Sequence, residues 1–426
     1  MSVPSHPWPV PVNSDQNLRD RGNTRRFLIL VGPLMLACAD LTSAKERDDQ
    51  YAAARHRLVE EAIEAEGITN PAVLSAMRTV PRHEFVSPKL RSQAYFDQSL
   101  PIGAKQTISP PYVVAYMTQA LDPQPDDKIL EIGTGSGYQA AVLAEIVHDV
   151  YTIEIVPALA KSAARRLRRL NYDNVHVREG DGYKGWPEHA PFDRIIVTCS
   201  PESVPTPLID QLRDGGTMII PIGERYQQTF YLFRKTAGRL QPEKLISTLF
   251  VPMTGESEDQ RHVLPDADRP QIVNGSFDKD ENEDDNADGW HYQRRSTLMP
   301  ESPVDGTRYI RFLAEDDGQN AQALQGTAVN GRRLGSLEFS VWAQAADIRP
   351  GSRGEQAAIV VHFYDNRRRE VATEVVMNWR GTLTWEQTQQ QIQIPRTARE
   401  MIIRIGLNGA TGQLDLDNFT MAARPR

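Results

Sequence analysis

The chain has 426 residues, too many for one ordinary core, so two or three structural units are expected. A formal charge of −8 argues against broad electrostatic binding to nucleic acid, which needs a basic face. The only cysteines, Cys38 and Cys199, lie far apart, which speaks against a disulfide framework and a cysteine-based zinc site.

Residues 1–45 form a polar arm bearing Arg19, Arg21, Arg25 and Arg26, with an apolar run, FLILVGPLMLACA, at 27–39. That run is short for a bilayer span and right for a signal-peptide core. Met35-Leu36-Ala37-Cys38 resembles a lipoprotein cleavage box, with Met where Leu is usual. One reading is export or lipid anchoring through residues 19–38. The other is an over-long start followed by a buried or disordered arm.

A charged helix is predicted over 44–67, with Leu58, Ala62 and Ile63 on its apolar face. Asn70-Pro71 separates it from a second helix carrying Val73, Leu74 and Met77. From 128 to 235 short apolar runs alternate with amphipathic helices. The runs are KILEIG (128–133), DVYTIEIV (149–156), NVHVREG (174–180), FDRIIVT (192–198) and GTMIIPIG (216–223), and helices are predicted over 138–147 and 158–170. Such alternation predicts an α/β unit, a mostly parallel, doubly wound sheet covered on both faces. A polar, proline-bearing stretch at 256–271 reads as a linker, and the acidic run DKDENEDDNADG (278–289) as a solvated loop. Seven short alternating runs follow, from RYIRFL to QLDLDNFTM, and predict an all-β sandwich. The expected units are therefore 1–45, 46–255, a linker at 256–271, and 272–426.

The first apolar run enters Glu131-Ile132-Gly133-Thr134-Gly135-Ser136-Gly137, and a helix follows at once. Glycines here let the backbone turn tightly and bring N–H groups to a ligand at the helix N-terminus. Acidic Glu154 ends the second run about 20 residues on, a spacing shared with dinucleotide-binding proteins. GxGxG with an acid closing strand one is similar to the S-adenosylmethionine (SAM) site of Rossmann-like methyltransferases. That resemblance implies that the glycine turn meets the methionine part, that Glu154 takes the ribose hydroxyls, and that Asp181 and Gly182 lie beside the adenine.

Further segments occur in one order: VPRHEFV (80–86), AYFDQSLPIG (94–103), QTISPPYVVAYM (106–117), LEIGTGSGYQ (130–139), GDGYKGW (180–186), APFDRIIVT (190–198) and GERYQQ (223–228). Together they closely resemble the protein-L-isoaspartate O-methyltransferase family over residues 50–255, about half the chain. The resemblance implies methylation of the α-carboxyl of L-isoaspartyl residues, and more weakly of D-aspartyl residues, in damaged proteins. The ester then collapses to a succinimide. A substrate carboxylate, with an ordinary pKa near ~4, is already an anionic nucleophile at neutral pH. Attack on a sulfonium methyl then needs neither base nor metal, and no histidine–carboxylate or metal-ligand cluster stands out. Holding the oxygen near its attack position can account for roughly 7–11 kcal/mol of barrier.

Ser109 reads as a helix N-cap, with Pro110 at N1 and YVVAYM beyond, or as an active-site hydroxyl. The family resemblance assigns the matching serine to the active site, within the substrate segment Gln106, Thr107, Ile108 and Ser109. Hydrogen bonding to the substrate is the favoured reading, and no activating base supports covalent catalysis. TCSPESVP (198–205) departs from the small apolar residues and prolines usual in the family there, but Cys199 and Ser200 keep the small size, so the loop is expected to retain its role near the substrate. Cys199 is expected to be a buried small hydrophobe.

The C-terminal unit begins Asn274-Gly275-Ser276-Phe277 and ends Leu416-Asp417-Asn418-Phe419, ends that resemble galactose-binding-like jelly-roll modules. A carbohydrate ligand on Trp290, Trp342, Tyr364, Trp379 and Trp385 is one expectation; sandwich-core aromatics are the other. Calcium at Asp417 and the acidic loop is weighed and set second. Cytoplasm is the expected compartment, because SAM is made there and the resembled family is cytoplasmic. A non-catalytic binding protein on a methyltransferase scaffold is the competing function.

Overall fold

The computed structural model describes residues 50–426. The signal-like run, Cys38 and the start of the first helix lie outside the described residues. Helix α1 covers 50–59 and widens into a π-helical turn at Glu60–Glu64, burying Leu58, Val59 and Ile63. Helix α2 spans Pro71–Thr79. Asn70 caps it by accepting from the Ala72 and Val73 backbone N–H groups, and Pro71 stands where a missing N–H does no harm.

A two-stranded hairpin, β1 (Leu100–Gly103) and β2 (Gln106–Ile108), leads into α3 (Pro111–Leu121). The main sheet then builds by alternation: β3 (Lys128–Ile132), α4 (Tyr138–Ala144), β4 (Asp149–Glu154), α5 (Pro157–Arg169), β5 (Val175–Glu179), β6 (Phe192–Val197), α6 (Thr206–Gln211) and β7 (Leu212–Gly223). β8 (Gln228–Thr236) and β9 (Arg239–Thr248) complete it. The order is β5-β4-β3-β6-β7-β8-β9, parallel through β7 and antiparallel beyond. β3 shows how the period of two fills both faces: Ile129 joins the core under α3 and α4, while Leu130 and Ile132 join the core on the other face. Chain order reverses between β4 and β6 around β3, and a crevice opens beyond the carboxyl ends of these strands.

The polar stretch after β9 is held down rather than loose. It opens with a short helix, α7 (Glu256–Asp259). Arg261 reaches the carbonyls of Gly223 and Ser200, and Glu202 accepts the His262 and Val263 N–H groups.

The C-terminal unit is two five-stranded antiparallel sheets. One has the order β10-β13-β18-β15-β16, with β10 at His291–Arg294, β13 at Gln322–Ala328, β15 at Ala357–Tyr364, β16 at Glu370–Trp379 and β18 at Glu400–Gly406. The other has the order β11-β12-β19-β14-β17, with β11 at Ser296–Met299, β12 at Tyr309–Ala314, β14 at Leu334–Arg349, β17 at Gly381–Gln393 and β19 at Thr411–Pro425. Trp290 is fully buried between Phe277 and Phe419, and its indole N–H donates to the Asn274 carbonyl. The Phe419 N–H donates to the Gly275 carbonyl at 2.7 Å, so the two end motifs meet.

The acidic loop is organised, contrary to the solvated loop expected. Asp280 takes the Asp284 and Asp285 N–H groups and pairs with Arg308, while Asp288 and Glu281 pair with Lys244 of β9. Asp417 accepts three backbone N–H groups, from Val304, Asp305 and Asn418. Among the described residues no helix is long and apolar enough to cross a membrane.

Candidate active site

At the end of β3 the chain turns through Gly133, Gly135 and Gly137, with φ of +102°, +55° and +89°. These angles exclude most L-residues, so the glycine spacing is a backbone requirement. A Cβ on Gly133 would lie 2.5 Å from Thr198 Oγ1, whose hydroxyl sits 2.8–2.9 Å from the Ile132 and Gly133 carbonyls. The Gly135 N–H donates to Glu154 Oε2 at 2.7 Å, and the Val156 N–H donates to Oε1 at 2.9 Å. Burial pushes the Glu154 carboxyl above its ordinary range, opposed by these N–H groups. Gly182 lies over Ile132, where any Cβ would strike the isoleucine side chain.

A second wall of the cleft is the β1–β2 hairpin. Its two-residue loop, Ala104 and Lys105, has φ of +51° and +61°, as a type I′ turn requires. Gln106, Thr107, Ile108 and Ser109 line the cleft from this side. Ser109 is not the helix cap expected of it. The helix begins at Pro111, Pro110 occupies the cap position, and no side chain caps the helix. Two prolines in succession displace the helix start by one residue and leave the half-buried Ser109 on the cleft wall.

The cleft has an empty volume of about 760 Å3, counting the part open to solvent. Gly133, Thr134, Gly135, Ser136, Glu154 and Gly182 line it, whereas Glu131, Gly137 and Asp181 do not. Asp181 accepts the Tyr183 and Glu256 N–H groups, tying the segment after β9 to the sheet. Glu131 is fully buried beneath the glycine turn. Its Oε2 accepts from Thr152 at 2.5 Å and its Oε1 has no partner. Burial pushes its carboxyl up to about 8, against the Thr152 hydrogen bond and reinforced by the Glu154 charge.

Thr198 and Cys199 of the 198–205 loop line the cleft, and sequence reasoning missed the 251–254 segment and Gln139. Gln139 donates to Thr118 while its buried Oε1 has no partner, an acceptor available to the cleft. Its place two residues after the glycine turn is the signal that could have found it. On the cleft wall Cys199 is half-buried and packed against the core, and burial raises its thiol so that it stays protonated. Tyr138 is likewise pushed up, to about 12. Among the described residues that line the cleft, Glu154 is the one carboxylic acid, engaged by two backbone N–H groups, and no histidine or lysine stands there to activate Ser109.

Residues 53–258 match the model of the protein-L-isoaspartate(D-aspartate) O-methyltransferase family. A protein-L-isoaspartate O-methyltransferase of Picosynechococcus sp. is 51% identical over 209 residues, covering 49% of this chain and 94% of that protein. The chain belongs to the protein-L-isoaspartate O-methyltransferase family. Another relative, a protein-L-isoaspartate O-methyltransferase of Gloeobacter violaceus, is 52% identical over 204 residues, 48% of this chain and 100% of its own length. A solved protein-L-isoaspartate O-methyltransferase structure aligns at a TM-score of 0.44 and 22% identity, covering 64% of this chain and 84% of its own. In this member of the family, the hairpin and the glycine turn line one cleft, and the sandwich is appended to the matched region.

Proposed function

We propose that the chain transfers a methyl group from SAM to the α-carboxyl of L-isoaspartyl residues, and of D-aspartyl residues, in damaged proteins. One observation carries this reading. A glycine turn with its acidic partner and a hydroxyl-bearing segment line the same cleft, in which Glu154 is taken up by backbone N–H groups and no free general base stands among the described lining residues. Acyl transfer or proton abstraction would need that base; a carboxylate nucleophile does not.

The residues present suit the donor. Gly133, Thr134, Gly135, Ser136 and Gly182 would hold it where the backbone leaves no room for side chains, with the Glu154 carboxylate as acceptor for its hydroxyls. Bound there, SAM supplies an electrophilic sulfonium methyl. Ser109, with no capping role, donates its hydroxyl to the substrate carboxylate, and Gln106, Thr107 and Ile108 orient the peptide. The cleft walls exclude water, and positioning supplies the acceleration.

Paired isoaspartyl and aspartyl peptides with labelled SAM test the reading. Base-labile methyl ester on the isoaspartyl peptide alone is expected. No transfer to either peptide would leave the non-catalytic binding protein. Ser109→Ala is expected to lower kcat/KM roughly 10- to 100-fold, the value of a hydrogen bond to a charged group, with the melting temperature unchanged. A matching loss of stability would make Ser109 structural instead.

We place the activity in the cytoplasm, where SAM is made; mass spectrometry of the mature N-terminus checks this. For the sandwich, a carbohydrate ligand draws support from Trp342, Tyr364 and Trp385, which are half-buried, since Trp290 and Trp379 belong to the core. A glycan array decides it, and clean non-binding removes the proposal.

A further inference from the structure

The sandwich does not merely follow the methyltransferase region; one of its strands is driven into it. β10 is bulged between His291 and Arg294, and Tyr292 and Arg295 hold φ of +60° and +47°, angles that non-glycine residues seldom adopt. The distortion aims three side chains at the other region. Tyr292 packs on the core under α3, Arg295 pairs with Glu66 at 3.7 Å, and Arg294 enters the space beside the substrate wall. There its guanidinium lies 3.6 Å from the centre of the Tyr112 ring and 3.7 Å from Asp97, with both charged side chains over nine-tenths buried.

Asp97 links this contact to the cleft. Its Oδ1 accepts the Tyr112 N–H at 2.8 Å, and Tyr112 is the second residue of α3, three residues after Ser109. Burial pushes the Asp97 carboxyl up, while the guanidinium groups of Arg294 and Arg82 and the Tyr112 N–H favour its charged form. The same hairpin is held at its tip, where Lys105 Nζ donates to the Asn366 carbonyl of the sandwich at 3.1 Å. Both ends of the segment 105–112 are thus fastened to the appended domain. The Gloeobacter relative, matched along its whole length over 204 residues, has no room for such a domain.

The geometry points to Arg294 as a positioning residue for methyl transfer. Through Asp97 and Tyr112 it fixes the turn that presents residues 106–109, so the sandwich is a working part of the substrate wall. This rests on the cleft being the methyltransferase centre.

The test uses the full chain with Arg294→Gln, and with Asp97→Asn combined with Arg294→Gln so that neither member of the Asp97–Arg294 pair is left buried without the other. Displacing a wall by about an ångström can lower turnover by roughly 100-fold. A loss of kcat/KM of roughly 10- to 100-fold on an isoaspartyl peptide is expected in both variants. Affinity for S-adenosylhomocysteine, held by the glycine turn, should stay within about twofold. Amide exchange at 106–112 should rise in both variants, a readout that needs no turnover and so separates this inference from the activity itself. Unchanged exchange and kcat/KM in a folded variant would overturn it. So would full recovery in the double variant, or an equal loss of S-adenosylhomocysteine affinity, which marks general destabilisation.

Discussion

The two walls of the cleft are held in different ways. The glycine-turn wall is fixed by its own backbone: positive φ angles, N–H groups donated to Glu154, and the Thr198 hydroxyl set against two carbonyls. The hairpin wall has two L-residues in its turn and keeps its place through distant partners, Asp97 with Arg294 and Lys105 with Asn366. One wall draws its geometry from residues no more than 66 positions away, and the other borrows it from residues about 200 to 260 positions away. Substitutions on the first should therefore affect the donor, and those on the second the peptide.

Gly133→Ala should show the largest effect. Its φ of +102° is closed to alanine, and the new Cβ would meet Thr198 Oγ1 at 2.5 Å. Strain of roughly 3 kcal/mol corresponds to about 100-fold weaker binding of S-adenosylhomocysteine, measurable by calorimetry. Gly103→Ala probes the other wall. Its φ is +95° with nothing within 4 Å of the added Cβ, so only backbone strain applies. A penalty of about 1 kcal/mol should raise the peptide KM roughly fivefold and leave S-adenosylhomocysteine binding unchanged. Equal effects of both substitutions on both ligands would erase the distinction between the walls.

What could be read in advance follows the same division. Parallel strands, the glycine turn and Glu154 were legible because their causes lie within a few residues: apolar runs bounded by turns, and an acid at the end of the next strand. The hairpin goes unannounced in the sequence because Ala104-Lys105 carries none of the Asn-Gly chemistry that marks a type I′ turn. Ser109 was misplaced by one position because Pro111, not Pro110, starts the helix. Arg294 had no signal at all, since its role exists only once β10 bulges into the other region. The acidic loop looked like solvated charge because its partners, Lys244 and Arg308, lie outside the run.

Glu131 should give the smallest effect on turnover, and its pH dependence separates the backbone of the glycine-turn wall from the acid beneath it. Its carboxyl titrates at about 8 in the fold against an ordinary 4.5, so it is neutral at pH 7. A carboxyl with a raised pKa favours the folded state fully below the ordinary value. That advantage is lost as pH climbs from about 4.5 through about 8, where the buried group must ionise. Glu131→Gln keeps a neutral group of similar shape and removes the titration. At pH 7 its turnover and S-adenosylhomocysteine affinity should match the parent, because the turn rests on glycine geometry rather than on this charge. Between pH 5 and pH 9 the parent should lose on the order of a few kcal/mol of stability that the variant does not. Chemical denaturation at both ends of that range measures the difference. Parallel pH profiles would mean that Glu131 is charged in the fold, and the wall would then depend on an anion under the turn as well as on its glycines.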